Sequence, residues 1–557
     1  MRTGREAKAS LRWYYVGMSK KRNKSSKKKA NMSSFPVVPP SGMYEVAIVG
    51  GGASGLACAV AYMQALEQEA RNCQAEKHAY CQVAKDNNLY QTTNDRTDQT
   101  KNDTTCQVVN GAPAAKFKPR VVILEAGKRI GTSIMRSGNG RCNFSNASLD
   151  VSRYYHASFV EEAFSALDSN LHVPSVLDWF KRLGLVWEEM PGSGGLLYPF
   201  SKKANSVLDV LRKALDEYGV ELCEMSMVNE VFSPMQRVFH VSGETRISDD
   251  ERVPFEITAR NVVIASGGAT PQEMLSSYNL SYCDPEPILG PLQVEPLAPL
   301  YLKALDGIRI QAKVKLVRNA QSLKARTDVK NPKVLQGGMA QGATPQGGVM
   351  RNDATQGSAV QGDAMRGPCV FEEEGEVLFR EYGLSGIVVF NASRYAHQGD
   401  TLLLDIMPHY TQEALLDFLY ARLAQQKSCL ARTFFTGFVV NPLAEALLQA
   451  AGIEGDAHLI GADIAALAQV CKALPFNVQG IADARTCQVR RGGIQPEEVN
   501  PATMQVYSCP GLFVLGEALD VDGPCGGYNL HWAWTTGLLS GTALALSNKQ
   551  TKENERD

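Results

Sequence analysis

The sequence predicts an α/β fold in which two α/β stretches, one near each end of the chain, flank a β-rich unit and a small helical unit. Three observations carry this. A short apolar run, Val46 to Val49, leads straight into Gly50-Gly51-Gly52-Ala53-Ser54-Gly55 and then into an alanine-rich helical stretch. Two further apolar runs, Val121-Val122-Ile123-Leu124 and Val262-Val263-Ile264, end at an acid and at small residues. Near the C-terminus Leu512-Phe513-Val514-Leu515 repeats the pattern and again ends on glycine and an acid. Apolar runs without alternation suit strands of a parallel sheet covered on both faces.

The bulk properties narrow the function classes. At 557 residues the chain has room for two or three domains. A net charge of −1 argues against nucleic acid as the main partner, because phosphate binding usually leaves a basic excess. Thirteen cysteines include no CxxC pair and no zinc-ligand spacing, which predicts reduced thiols, a cytoplasmic protein and no metal. The sequence contains no apolar run of about 18 residues and no secretory signal pattern. The expected partner is a small molecule; the oligomeric state is left open.

Taken in order, residues 1–42 crowd Lys20, Lys21, Arg22, Lys24, Lys27, Lys28 and Lys29 into a Ser/Asn-rich tract followed by Pro36, Pro39 and Pro40. Such a segment has too little apolar surface to order itself and is expected to be a disordered basic extension. The glycine run that follows is a dinucleotide fingerprint in its proper context, between a strand and a helix. Gly50 serves the tight turn, Gly52 the close approach of a pyrophosphate, and Gly55 the packing of helix on strand. The helix opening at Ala53-Ser54 aims unpaired N–H groups and its dipole at the phosphates. An apolar stripe (Leu56, Val60, Met63, Leu66) gives way to a polar insertion over 70–117. Glu125, followed by Ala126, then ends the second strand 70 residues past Gly55. The ribose-binding acid ordinarily lies about 20 residues on, and removing the insertion restores that spacing.

Arg136-Ser137-Gly138-Asn139-Gly140-Arg141-Cys142-Asn143 has no hydrophobic period and reads as a loop wrapped on a ligand, its arginines suited to a phosphate or an anionic ring edge. Helical patterns follow at 159–184 and 205–218, then strand-like segments at 221–227, 228–232 and 238–241. The run 259–268 is a buried strand ending at Ser266-Gly267. Residues 286–410 form a β-rich unit interrupted by a low-complexity segment, 325–369, in which Gln-Gly recurs; it reads as a flexible loop. Gly383 to Gly386 is expected to return the chain toward the ligand. Residues 411–475 are helical throughout and read as a separate subdomain, after which 476–557 rejoins 43–285. Gly516-Glu517 ends the last strand, and Cys525-Gly526-Gly527-Tyr528-Asn529-Leu530 opens a second glycine-rich helix start. Such a start suits an electron-rich group, for instance the N1 and O2 edge of a reduced flavin.

These motifs, in this order, resemble the BaiN-like bacterial FAD-dependent oxidoreductases, also called aminoacetone-oxidase-like. The carriers are IVGGGASGLACA near Gly50, SGNGRCNFSN from Ser137 to Asn146, YGLSG from Tyr382 to Gly386, RRGGI from Arg490 to Ile494, and GLFVLGEALDVDGPCGGYNLHWAW from Gly511 to Trp534. The resemblance spans Tyr44 to about Gly541, without the insertions. It implies a Rossmann-type FAD-binding domain of the two-dinucleotide flavoprotein kind, built from both ends of the chain, with an inserted β-barrel-like domain and a small helical subdomain. It implies that Gly50, Gly52 and Gly55 meet the pyrophosphate and Glu125 the adenosine ribose. Val231 would lie where backbone meets adenine, and Ser266-Gly267 where the third strand reaches the cofactor. Arg141, Cys142 and Asn143 would run beside the flavin, Gly516 and Glu517 near the ribityl chain, and Gly526 to Leu530 at the pyrimidine end. Two departures bear on pocket shape: Ala269 to Leu280 lacks the usual Gly/Thr-rich loop, and Ile387 stands where relatives tend to have proline.

The expected chemistry is hydride transfer at flavin N5, with NAD(P)H as a transient donor and a small organic substrate such as an activated C=C. Oxidation of a small amine with O₂, or flavin holding without turnover, are the alternatives. His531 and Tyr528 are the candidate proton donors, and Cys142 and Cys525 a candidate redox pair.

Overall fold

The structure, a computed structural model, describes residues 36–86, 119–170, 173–269, 272–319, 368–426 and 429–554. The expectations for the basic tract before Pro36, for residues 87–118 and for the Gln-Gly segment fall outside these.

The first strand, Met43–Val49, lies parallel between Val121–Glu125 and the C-terminal half of Arg252–Ile264. Glu221–Glu224 adds parallel at one side and Leu512–Val514 at the other. The four apolar runs thus share one sheet, with Glu221–Glu224 at its edge, although they come from both ends of the chain. Arg252–Ile264 does two jobs. Over its first half Phe255, Ile257 and Ala259 are buried in alternation with exposed neighbours, while 261 to 264 are buried without a break. Alternation marks a strand with one wet face, and continuity marks one covered on both. Accordingly the first half pairs antiparallel with Val238–Arg246, which pairs in turn with Ser226–Met235.

The inserted unit is a closed, antiparallel, six-stranded barrel. Around it run Leu292–Pro296, Gly383–Ser385, Cys369–Arg380, Arg309–Val317, Thr401–Asp405 and Leu474–Ile481. Ala312, Val314 and Leu316 alternate inward along one strand and meet Phe379, Leu384, Leu402 and Phe476 in a core distinct from that of the sheet. Two sequence expectations shift here. The boundary placed at 475/476 falls inside Leu474–Ile481, which closes the barrel by pairing with Leu292–Pro296 and Thr401–Asp405. The helices Gln412–Gln425, Ala431–Phe434, Asn441–Ala450 and Gly461–Lys472 share the barrel core through Leu415, Leu419, Leu447 and Leu467. They extend the barrel rather than standing apart. Gly383–Ser385 is itself a barrel strand, paired with Leu292 and Gln293. A two-stranded ribbon, Tyr282–Ile288 with Val489–Ile494, carries the chain into and out of the insert.

Other elements differ in extent. The first helix runs Ala53–Asp86, so the polar stretch begins as a continuation of it. The pattern at 159–184 resolves into Ala157–Ser169 and Val176–Arg182. The terminal helix, Tyr528–Asn554, packs on the first at glycine distance. A Cβ on Gly537 would stand 2.6 Å from that of Ala57, and one on Gly541 2.6 Å from the Cys58 carbonyl oxygen. Among the described residues no helix is long and apolar enough to cross a membrane, and no group of three or more His, Cys, Asp or Glu could hold a metal ion.

Candidate functional site

The glycine turn is packed from below and open above. Gly50 has φ +109°, and a Cβ there would lie 2.3 Å from the Ala265 carbonyl oxygen, beside Ser266. A Cβ on Gly55 would lie 2.1 Å from the Gly50 carbonyl oxygen. Both glycines are therefore required by backbone contact alone. Gly52 differs: the nearest atom to its imagined Cβ is Ser133 Oγ, at 3.5 Å. Its N–H has no partner among the described residues and sits at the start of a 34-residue helix, the arrangement that binds anions. Glu125 closes the turn from the second strand. Its Oε2 accepts from Gly51 N–H (2.8 Å) and its Oε1 from Gly127 N–H (2.6 Å), with the exposed Ala126 between strand and turn. Each oxygen keeps a further lone pair for a hydroxyl.

The loop at 137–143 is wound against its own side chains. Gly138, Asn139, Gly140 and Cys142 all have φ between +54° and +80°, a region that costs energy for the non-glycine residues. Ser137 Oγ donates to the Ile134 carbonyl (2.7 Å), the Cys142 N–H donates to the Ser137 carbonyl (3.1 Å), and the Arg141 guanidinium lies over the Tyr198 ring. Asn143 Oδ1 is buried with no hydrogen-bond partner. A buried acceptor without a donor calls for one, and a ligand is the simplest source.

The C-terminal turn lies against Ser145–Asn146, the short strand that follows this loop. A Cβ on Gly527 (φ +92°) would stand 2.4 Å from the Ser145 carbonyl oxygen, and Asn146 Nδ2 donates to the Gly526 carbonyl (2.9 Å). Asn529 brackets Gly523, accepting from its N–H and donating to its carbonyl, both at 2.8 Å. The N–H groups of Gly526 and Gly527 are left without partners among the described residues, at the head of the 27-residue terminal helix. Leu530 follows in its first turn. Gly516 links the two ends: its N–H donates to Thr536 Oγ1, Trp532 Nε1 donates to its carbonyl, and a Cβ there would meet Ser54 Oγ at 2.9 Å. Glu517 lies under Gly268 and accepts from Arg490 N–H (2.6 Å); burial pushes its carboxyl up to about 7. Gly267, with φ +74°, begins the short turn after the return strand. Val231 stands in the meander, its side chain buried and its carbonyl accepting from Ser277 Oγ (3.4 Å).

The candidate acid/base and redox groups are all restrained. His531 Nδ1 lies 2.8 Å from Ser145 Oγ, and its ring meets Phe164 edge-on; burial holds its pKa down to about 4, so the ring is neutral at pH 7. Tyr528 OH accepts from Asp150 N–H, while its carbonyl accepts from Tyr154 OH. Burial pushes the Cys142 thiol up to about 11 and the Cys525 thiol up to about 12, so both are protonated at neutral pH. Neither cysteine is in a disulfide.

Sequence reasoning missed a polar junction between the barrel and this turn. Asp522, fully buried, accepts from Arg394 Nε (2.6 Å), Arg491 Nε (2.7 Å) and Arg491 Nη2 (3.1 Å). Asn391 Oδ1 accepts from Cys525 N–H at 2.8 Å. The RRGGI motif contained Arg491, but nothing near Asn391 or Arg394 marked them: they sit on Ile387–Ser393 and just beyond it, a short and otherwise apolar helix.

The unpartnered N–H groups of Gly52, Gly526 and Gly527, the orphaned Asn143 oxygen and the open face of Gly52 together fit a flavin dinucleotide. Comparison with known proteins agrees. A family model described as the HI0933-like protein Rossmann domain matches residues 108–543. The 3-dehydro-bile acid delta(4,6)-reductase of Clostridium scindens is 29% identical over 435 residues, covering 76% of this chain and 93% of that protein. The ribosomal RNA dihydrouridine synthase of Haemophilus influenzae is 23% identical, covering 79% and 95%. Its namesake from Escherichia coli is 24% identical, covering 76% and 92%. The protein is a flavoprotein oxidoreductase whose α/β unit is a Rossmann-type FAD-binding domain, and the chain belongs to the HI0933-like family.

Proposed function

We propose that the protein is an FAD-dependent reductase that draws its hydride from NAD(P)H and delivers it to an activated C=C of a small organic substrate. The observation that carries this reading is that two helices from opposite ends of the chain pack side by side and each opens on unpartnered glycine N–H groups. When bound, FAD supplies hydride acceptance and donation at N5. In this reading Gly52 and the first helix hold the pyrophosphate, the free lone pairs of Glu125 take the ribose hydroxyls, and Glu517 serves the ribityl chain. Gly526 and Gly527 donate to the pyrimidine edge, where negative charge gathers on reduction, and fixed donors at such a point cost no reorganisation. Asn143 contributes its unpaired oxygen. With no second GxGxxG in the sequence, NAD(P)H binds transiently at the flavin face.

The relatives' names favour a reductase over an oxidase: a delta(4,6)-reductase and a dihydrouridine synthase both leave a saturated C–C bond. The same names support a second substrate reading, a uracil base in RNA, for which the basic tract Lys20 to Lys29 would be useful and the net charge of −1 is not. Anaerobic titration of the purified yellow protein tests these readings. Rapid bleaching by NADPH or NADH, followed by recovery of colour with a steroid dienone or a uridine oligonucleotide, supports the reductase and separates the substrates. Bleaching by small amines alone would replace it with the oxidase.

A further inference from the structure

The junction between barrel and turn is built as part of the site. The turn from Asp522 to Gly527 is held at the Asp522, Gly523, Gly526 and Gly527 carbonyls and at the Gly523 and Cys525 N–H groups, and the barrel supplies two of the fixings. Asn391 Oδ1 holds Cys525 N–H, and Arg394 Nη2 donates to the Asp522 carbonyl (3.2 Å), which also accepts Tyr155 N–H. Both groups are themselves tied down. Asn391 Nδ2 donates to Glu373 Oε1 (2.9 Å), Glu373 pairs with Arg153, and Arg394 Nη2 donates also to the Arg153 carbonyl (3.1 Å). The guanidinium nitrogens of Arg394 and Arg491 are engaged by Asp522, by backbone carbonyls and by Tyr395 OH, and Arg491 lies over the Tyr155 ring. Neither arginine therefore has a spare fork for a ligand. They aim the turn.

We propose that Asn391 and Arg394 are positioning residues of the flavin site: they hold the Asp522–Gly527 turn so that the Gly526 and Gly527 N–H groups meet the flavin edge, and so set its reduction potential. This rests on the reading of that turn as flavin-facing. A donor that is correctly aimed stabilises the reduced, more negative ring more than the oxidised one, so loosening the turn lowers the potential.

The test is the midpoint potential of purified holoenzyme by dye equilibration, read beside Tm. Asn391→Leu is expected to reduce the preference for reduced over oxidised flavin about tenfold, which is a fall of about 30 mV for a two-electron couple. Arg394→Lys, which keeps the charge but not the fork, is expected to shift the potential in the same direction. Leu447→Ala, a cavity in the barrel core far along the chain from the junction, is the control and is expected to lower Tm while leaving the potential alone. Wild-type potentials in both junction variants would overturn the proposal, as would an equal shift in Leu447→Ala, because the effect would then be general loosening. A wild-type protein that retained no FAD would instead remove the reading beneath it.

Discussion

Gly52 and Gly55 stand three residues apart in one turn and answer to different constraints. Gly55 has a backbone oxygen 2.1 Å from where a Cβ would be, whereas Gly52 faces open space with only Ser133 Oγ near. Gly55→Ala is therefore expected to fail as a fold, and Gly52→Ala to keep the wild-type Tm while losing at least tenfold in FAD affinity; thermal melts and flavin fluorescence titration check both halves. Glu517 makes a pH prediction. Burial raises its carboxyl from about 4.5 to about 7 against the opposing pull of Arg490. The native state then holds a proton that the unfolded chain has released, so this group's contribution is full below about pH 4.5 and is lost as pH rises through 7. The Tm of the apoprotein is expected to fall between pH 5 and 8 more steeply in wild type than in Glu517→Gln. At this scale the sequence was legible wherever a residue type had one use. Asn391 and Arg394 were invisible because a lone polar side chain in an apolar helix gives no sign of what it will meet.

Elements are legible in the sequence where periodicity is single and less so where it changes. Arg252–Ile264 switches from alternation to continuity midway, because its first half has one wet face and its second half has none. The last barrel strand, Leu474–Ile481, reads in sequence as the end of a helical stretch and the start of the returning α/β segment, since its alternation is hidden by the apolar helix before it. The pairing of the first and terminal helices depends on Gly537 and Gly541, whose spacing of four puts both on one face. A side chain at Gly541 would meet the Cys58 carbonyl oxygen at 2.6 Å and the Tyr62 nitrogen at 2.7 Å. Gly541→Val is expected to cost about 3 kcal/mol, read as a lower midpoint in urea with the slope unchanged.

The described residues form two large cores, one around the parallel sheet and one inside the barrel and its helices, joined by the ribbon, where Ile288, Leu289 and Val489 make a small third cluster, and by the Asp522 junction. The Gln-Gly segment interrupts a barrel hairpin whose ends are already closed: Val317 pairs with Cys369, and Arg318 N–H donates to the Pro368 carbonyl at 3.0 Å. Replacing residues 320–367 with a short Gly-Ser turn is expected to leave FAD content unchanged and Tm equal or higher, since a shorter connection between the two paired strands costs about 2 kcal/mol less to close. Differential scanning calorimetry and the flavin-to-protein absorbance ratio check it.

By itself the sequence determined the FAD-binding architecture, because a strand, a glycine turn and a helix in succession leave the backbone little choice, and the C-terminal CGGYN turn repeats that constraint at the other end. Only the tertiary structure decided how those ends meet and what holds them. Barrel closure needs strands far apart in sequence, and the Arg394–Asp522–Arg491 cluster needs three segments brought together in a dry interior. Local pattern fixes what each element is; which polar side chains meet across the junction is a property of the packed molecule.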